Sequence, residues 1–87
     1  MAKNKTKAFF FWAAWDNDFY KKLNDFVNEA KKLKFAFETI DVETENGVAL
    51  SVKYGIRNVP AVVVVCDNKV IGIERGNNAY SKLKNYL

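Results

Sequence analysis

Few of the 87 residues can do chemistry, and their types set narrow limits. There is no histidine, so an imidazole base, a Ser-His-Asp triad and histidine-ligated zinc are all excluded. Cys66 is the single cysteine, which rules out an internal disulfide, a Cys-x-x-Cys redox pair and a thiolate metal cluster. Asp67 follows it directly, an acidic neighbour and not the cationic setting that activates a thiolate. Asp16 and Asp18 stand close together behind an aromatic run, but no third ligand accompanies them. The stretch Asp41 to Glu45 lacks the glycine and terminal glutamate of an EF-hand loop. No metal and no cofactor are expected.

These residues must be positioned by one small domain, 1–87, with residues 1–6 expected as a short flexible basic tail. Hydrophobic residues make up 49% and aromatics 15%, too many for a disordered chain. The net charge of +4 is modest and the lysines are spread over several segments, typical of a solvated surface. The run from Ala8 to Trp15 follows three lysines, as in a secretory leader, but it is aromatic and ends in Trp-Asp. It reads instead as a buried strand. Asp16 is placed to cap a helix, with Asn17 and Asp18 in its first turn, where anions offset the dipole. Phe19, Leu23, Phe26, Val27, Ala30 and Leu33 then share one helical face.

Phe35 to Asp41 alternates as a second strand, giving a βαβ unit with a parallel pair. A shorter helix is predicted over Thr44 to Lys53, with Val48, Leu50 and Val52 partly buried and Gly55 ending it. Ala61 to Val65 is a continuous β-branched run, fit for a central strand buried on both faces. Asp67-Asn68 turns the chain into an antiparallel strand from Lys69 to Glu74. Gly76 to Asn78 breaks that strand, and a final helix follows from Ala79 to Leu87.

Two segments carry a family resemblance. Phe10-Phe11-Trp12-Ala13-Ala14-Trp15-Asp16-Asn17-Asp18-Phe19 lies in register with Asp-Phe-Trp-Ala-x-Trp-Cys-Gly-Pro-Cys. Tyr54-Gly55-Ile56-Arg57-Asn58-Val59-Pro60 looks like Tyr-Gly-Ile-Arg-x-Ile/Val-Pro. Both segments resemble those of thioredoxin, over nearly the whole chain. The resemblance implies a thioredoxin-like α/β fold of order β-α-β-α-β-β-α. Its sheet would have four strands, with helices on both faces and without the family's N-terminal strand and helix. It also implies that Pro60 is a cis-proline facing the active-site turn and that Gly76 follows the last strand.

The departures fall on the chemistry. Asp16 stands in place of the nucleophilic cysteine, Phe19 in place of the resolving one, and Asn17 and Asp18 in place of Gly-Pro. Phe10 replaces the family's buried aspartate. Thiol–disulfide exchange needs an attacking thiolate and a second thiol, and a carboxylate can supply neither. The catalytic set is therefore expected to be empty. Trp12 and Phe10 are expected as structural residues, and Trp15, Val59, Pro60 and Gly76 as a retained docking surface. The backbone of Val59 would pair with an extended peptide.

The favoured function is a redox-inactive accessory or protein-binding module, possible for a phage-encoded protein. Its partner would be an extended peptide segment or a polymerase or assembly component. No membrane contact is expected, and nucleic-acid contact would be weak or indirect. The location would be the cytoplasm, the host's if the protein is viral. Two alternatives are altered thiol chemistry through Cys66 and a basic nucleic-acid-associated protein using its lysines.

Overall fold

The computed structural model describes residues 6–86. The expected order of elements is present: β1 (Thr6–Trp12), α1 (Phe19–Lys32), β2 (Ala36–Asp41), α2 (Glu45–Tyr54), β3 (Ala61–Cys66), β4 (Lys69–Arg75) and a 3₁₀ helix (Ala79–Tyr86). The sheet runs β2-β1-β3-β4. β1 and β2 are parallel, as a helical crossover requires, whereas β3 is antiparallel to both β1 and β4. Both residues of the β3–β4 turn, Asp67 and Asn68, have positive φ (54° and 68°), the type I′ pattern that matches strand twist.

Alternation along the central strands builds two cores. On one face, Phe10, Val62 and Val64 meet Phe26 and Ala30 of α1 and Leu83 of the 3₁₀ helix. On the other, Phe11, Ile40, Val63 and Val65 pack with Ile56 and the α2 residues Leu50 and Tyr54. Ala61 to Val65 are all buried, so the unbroken apolar run does mark a strand covered on both sides. Each such side chain contributes about 1.5–3 kcal/mol on full burial.

Helix ends follow local chemistry. Lys34 takes a left-handed conformation (φ 59°) after α1, and the Phe35 N–H reaches back to the Ala30 carbonyl at 2.8 Å. The Thr44 hydroxyl caps α2 by accepting from the Gly47 N–H at 2.9 Å, and Gly55 (φ 67°) ends it.

Four expectations are corrected. Asp16 does not cap α1. The Asp16 N–H donates to the Ala13 carbonyl and the Phe19 N–H to the Asp16 carbonyl, both at 3.1 Å. These two consecutive turns delay the helix to Phe19. Asp18 holds the cap position with φ 64° and makes no side-chain cap bond, and no acid lies in the first turn. Val48 and Val52 are exposed (53% and 77%), because α2 turns them away from the sheet. The last element is 3₁₀, with i to i+3 bonds such as Ser81 N–H to the Asn78 carbonyl at 3.0 Å. Thr6 belongs to β1 and is buried, and so is no part of a tail. Residues 1–5 and 87 lie outside the described residues.

Candidate functional site

Three segments converge at the C-terminal end of β1. Trp12 closes the strand, and its carbonyl accepts the Val42 N–H at 3.0 Å, which fixes the end of β2 beside it. The indole of Trp12 stacks on Phe19 with ring centroids 5.3 Å apart and planes 6° apart. Phe19 stacks in turn on Tyr20 at 4.7 Å. Trp12 Nε1 is buried without a hydrogen-bond partner among the described residues. Phe10, 2% exposed, stacks on Phe26 at 4.8 Å and is wholly a core residue.

Asp16 is engaged by a residue that sequence reasoning passed over. Lys22 Nζ donates to both Asp16 carboxylate oxygens at 2.8 Å. The two side chains are 18% and 21% exposed, so the pair is well shielded. The lysine sits on the second turn of α1, and the double turn before the helix folds Asp16 back over it. Six residues separate the two in sequence, which fits no helical spacing rule. Nothing short of the turn geometry could have paired them.

The Val59–Pro60 bond is cis. Pro60 is buried, and its carbonyl accepts the Gly76 N–H at 3.1 Å. Gly76 has φ 97°, a left-handed value that suits glycine. Trp15, 67% exposed, and Val59 line an open groove of about 570 Å³ together with Val42, Val48, Val52 and Arg57. Of the expected docking residues, Trp15 and Val59 therefore share one surface. Pro60 and Gly76 are bonded to each other and do not line the groove. The sequence pattern does not mark the walls from α2 and Arg57, because Val48 and Val52 read as partly buried.

Cys66 stands far from this groove. It ends β3, opposite Thr6 of β1 and Lys69 of β4, whereas Pro60 precedes the other end of that strand. At about 3.3 Å per residue the two ends lie nearly 20 Å apart. Among the described residues, no group of three or more His, Cys, Asp or Glu could hold a metal ion. No helix among them is long and apolar enough to cross a membrane.

No protein-family model matches the sequence, and no curated protein matches it either. Solved structures do. A mutant thioredoxin from Halobacterium salinarum NRC-1 superposes with TM-score 0.80 at 25% identity, over 98% of this chain and 74% of that one. The fold is that of thioredoxin. The germline-specific thioredoxin Deadhead of Drosophila melanogaster gives TM-score 0.78 at 24% identity, over 98% of this chain and 80% of that one. Spinach chloroplast thioredoxin f gives 0.79 at 23%, over 98% and 69%. The groove in this chain thus lies on a thioredoxin fold, beside a cis-proline and a strand-to-helix turn that carries an aspartate.

Proposed function

We propose that the protein is a thioredoxin-like binding module without dithiol chemistry. The observation that carries this reading is the Asp16–Lys22 pair. In the family it resembles, the turn after the first strand of the βαβ unit presents a thiolate at the start of a helix. Here that turn presents a carboxylate already held on both oxygens by a lysine. Such a group has no sulfur to attack a disulfide, and its charge is already paired with a lysine. Phe19, at the position of the resolving thiol, is committed to the stack on Trp12.

The groove supports the binding half of the reading. Trp15, Val48 and Val52 are large, exposed and apolar, and together they form a patch rimmed by Arg57. Exposed aromatic anchors beside a preformed concavity are the usual centres of interfaces. The partner would be a protein segment with an apolar side chain for the groove, laid extended along Val59.

Two measurements test the two halves. In an insulin-reduction assay with dithiothreitol, no turnover above the reductant's own rate is expected, and ordinary thioredoxin rates would overturn the proposal. In affinity capture from the native host, Trp15→Ala is expected to lose the partner that the parent chain retains. Equal recovery by both would remove the groove from the interface.

A further inference from the structure

Among the described residues, β2 is one edge of the sheet. Its pairing with β1 is regular, from Lys7↔Ala36 to Trp12↔Asp41 without a bulge. Main-chain groups of successive strand residues point alternately to the two sides. The Val42 N–H points to β1, where it meets the Trp12 carbonyl. The alternation therefore turns both main-chain groups of Phe37 and Thr39 and the N–H of Asp41 outward, whereas the Asp41 carbonyl accepts from the Thr44 N–H at 3.1 Å and the Thr44 hydroxyl at 2.8 Å.

The two edges are protected unequally. β4 carries a register shift at Val64/Val65 and has Lys69 and Arg75 at its ends. Bulges and cationic side chains are common guards against edge pairing. β2, Ala-Phe-Glu-Thr-Ile-Asp, has neither lysine, arginine, proline nor bulge.

We propose that two copies of this chain join antiparallel through β2, making one continuous sheet across a two-fold axis. An axis normal to the sheet maps each face onto itself, so a strand residue can oppose only residues of its own parity. A register centred on Thr39 sets Thr39 against Thr39 of the second copy and Phe37 against its Asp41. Thr39 then exchanges both its main-chain bonds with its counterpart, and the Asp41 N–H donates to the Phe37 carbonyl of the other copy. Charge fits as well: Glu38 opposes Ile40, Asp41 opposes Phe37, and no two carboxylates meet.

Glu38 is also balanced within its own copy by Lys7 Nζ at 3.7 Å. Neighbouring registers do worse. Centring on Glu38 or on Asp41 sets two carboxylates face to face. Centring on Ile40 sets Phe37 against Glu43, whose N–H is already given to the Asp41 carboxylate, and centring on Phe37 reaches past the start of β2 to the Phe35 N–H, already given to Ala30. This self-complementarity is what selects a second copy over an unrelated strand. Val42, just beyond β2, lines the groove. Antiparallel pairing sends the two Val42 ends in opposite directions, so both grooves stay open.

Sedimentation equilibrium of the full chain into the hundred-micromolar range is expected to show a monomer–dimer equilibrium. Thr39→Lys sets two ammonium groups opposite each other, and Thr39→Pro deletes the central outward N–H while leaving the bonds to β1. Each is expected to raise the dimer Kd about tenfold or more, with an unchanged far-ultraviolet circular dichroism spectrum. In a Cys66→Ser background, Thr39→Cys is expected to form a disulfide-linked dimer under mild oxidation, since opposed residues lie about 5.5 Å apart at Cα. Lys69→Cys on β4 is the control and is expected to cross-link far more slowly. A monomer throughout, a dimer indifferent to Thr39→Lys, or equal cross-linking at the two positions would overturn the proposal.

Discussion

Lys22 grips both carboxylate oxygens of Asp16 at 2.8 Å, and this contact ties the turn after β1 to the second turn of α1. The pair does what a capping side chain would have done, by another route. A cap satisfies helix N–H groups locally, whereas the ion pair anchors the loop to the body of the helix. Because the pair is largely shielded, removing one partner leaves the other poorly solvated. Asp16→Ala is expected to cost about 2 kcal/mol, between the values for exposed and fully buried pairs. Urea unfolding of Asp16→Ala, Lys22→Met and the double variant checks this. The double variant should lose less than the sum of the two singles, and strict additivity would mean the contact contributes nothing.

Asp16→Cys with Phe19→Cys tests the register with the dithiol family. The Phe19 N–H bonds to the Asp16 carbonyl, so the two residues span one tight turn. A disulfide fits such a span. The double variant is expected to form that disulfide and to gain measurable insulin reduction. It should also lose about 1 kcal/mol of stability with the Trp12–Phe19 stack. Thiol titration of the folded, oxidised variant decides the matter, and two free introduced thiols would show the register to be wrong.

Much of the fold could be read from the sequence because its strands are buried and therefore apolar. β3 is the plainest case, since burial on both faces leaves no position for a polar residue. The Asp16-to-Phe19 connection was misread because Asp-Asn-Asp suits both a helix cap and a chain of turns. Main-chain bonds to Ala13 and Asp16 decide between these, and side-chain composition does not record them. Val48 and Val52 were misread for a different reason. Exposed apolar residues on a short helix look the same in sequence as buried ones, and only the packing of α2 on the sheet separates them. Trp15, Arg57, Val59 and Pro60 all stand in the segments that carry the family resemblance, although nothing in the motif marks Arg57 as a groove wall, whereas Lys22 has no local signal.

Phe10→Asp restores the acid that the resemblance places at this position, and the structure argues against its being tolerated. Phe10 is 2% exposed and stacked on Phe26. The substitution removes an aromatic side chain from the core and buries a carboxyl without a partner. A loss above about 4 kcal/mol is expected, enough to unfold many domains of this size. Circular dichroism at room temperature should show little native signal, and a folded variant would mean water or a lysine reaches this face.

Tyr86 links the C-terminal 3₁₀ helix to β4, its hydroxyl donating to Glu74 Oε2 at 2.6 Å. That bond, then burial and the charge of Glu74, push the Tyr86 hydroxyl up from 10.0 to about 12. A phenol whose pKa is higher folded than unfolded stabilises the fold fully below the unfolded value. Its contribution is lost as pH rises from about 10 to about 12, where the unfolded chain ionises first. The stability difference between the parent and Tyr86→Phe should therefore be constant up to about pH 10 and shrink above it. A Cβ added at Gly72 would strike the Tyr86 hydroxyl, so Gly72→Ala is expected to displace the ring. Absorbance titration should then show one more tyrosine ionising near the ordinary value in Gly72→Ala than in the parent. A high-titrating tyrosine that persists in both variants would place the anomaly on another ring.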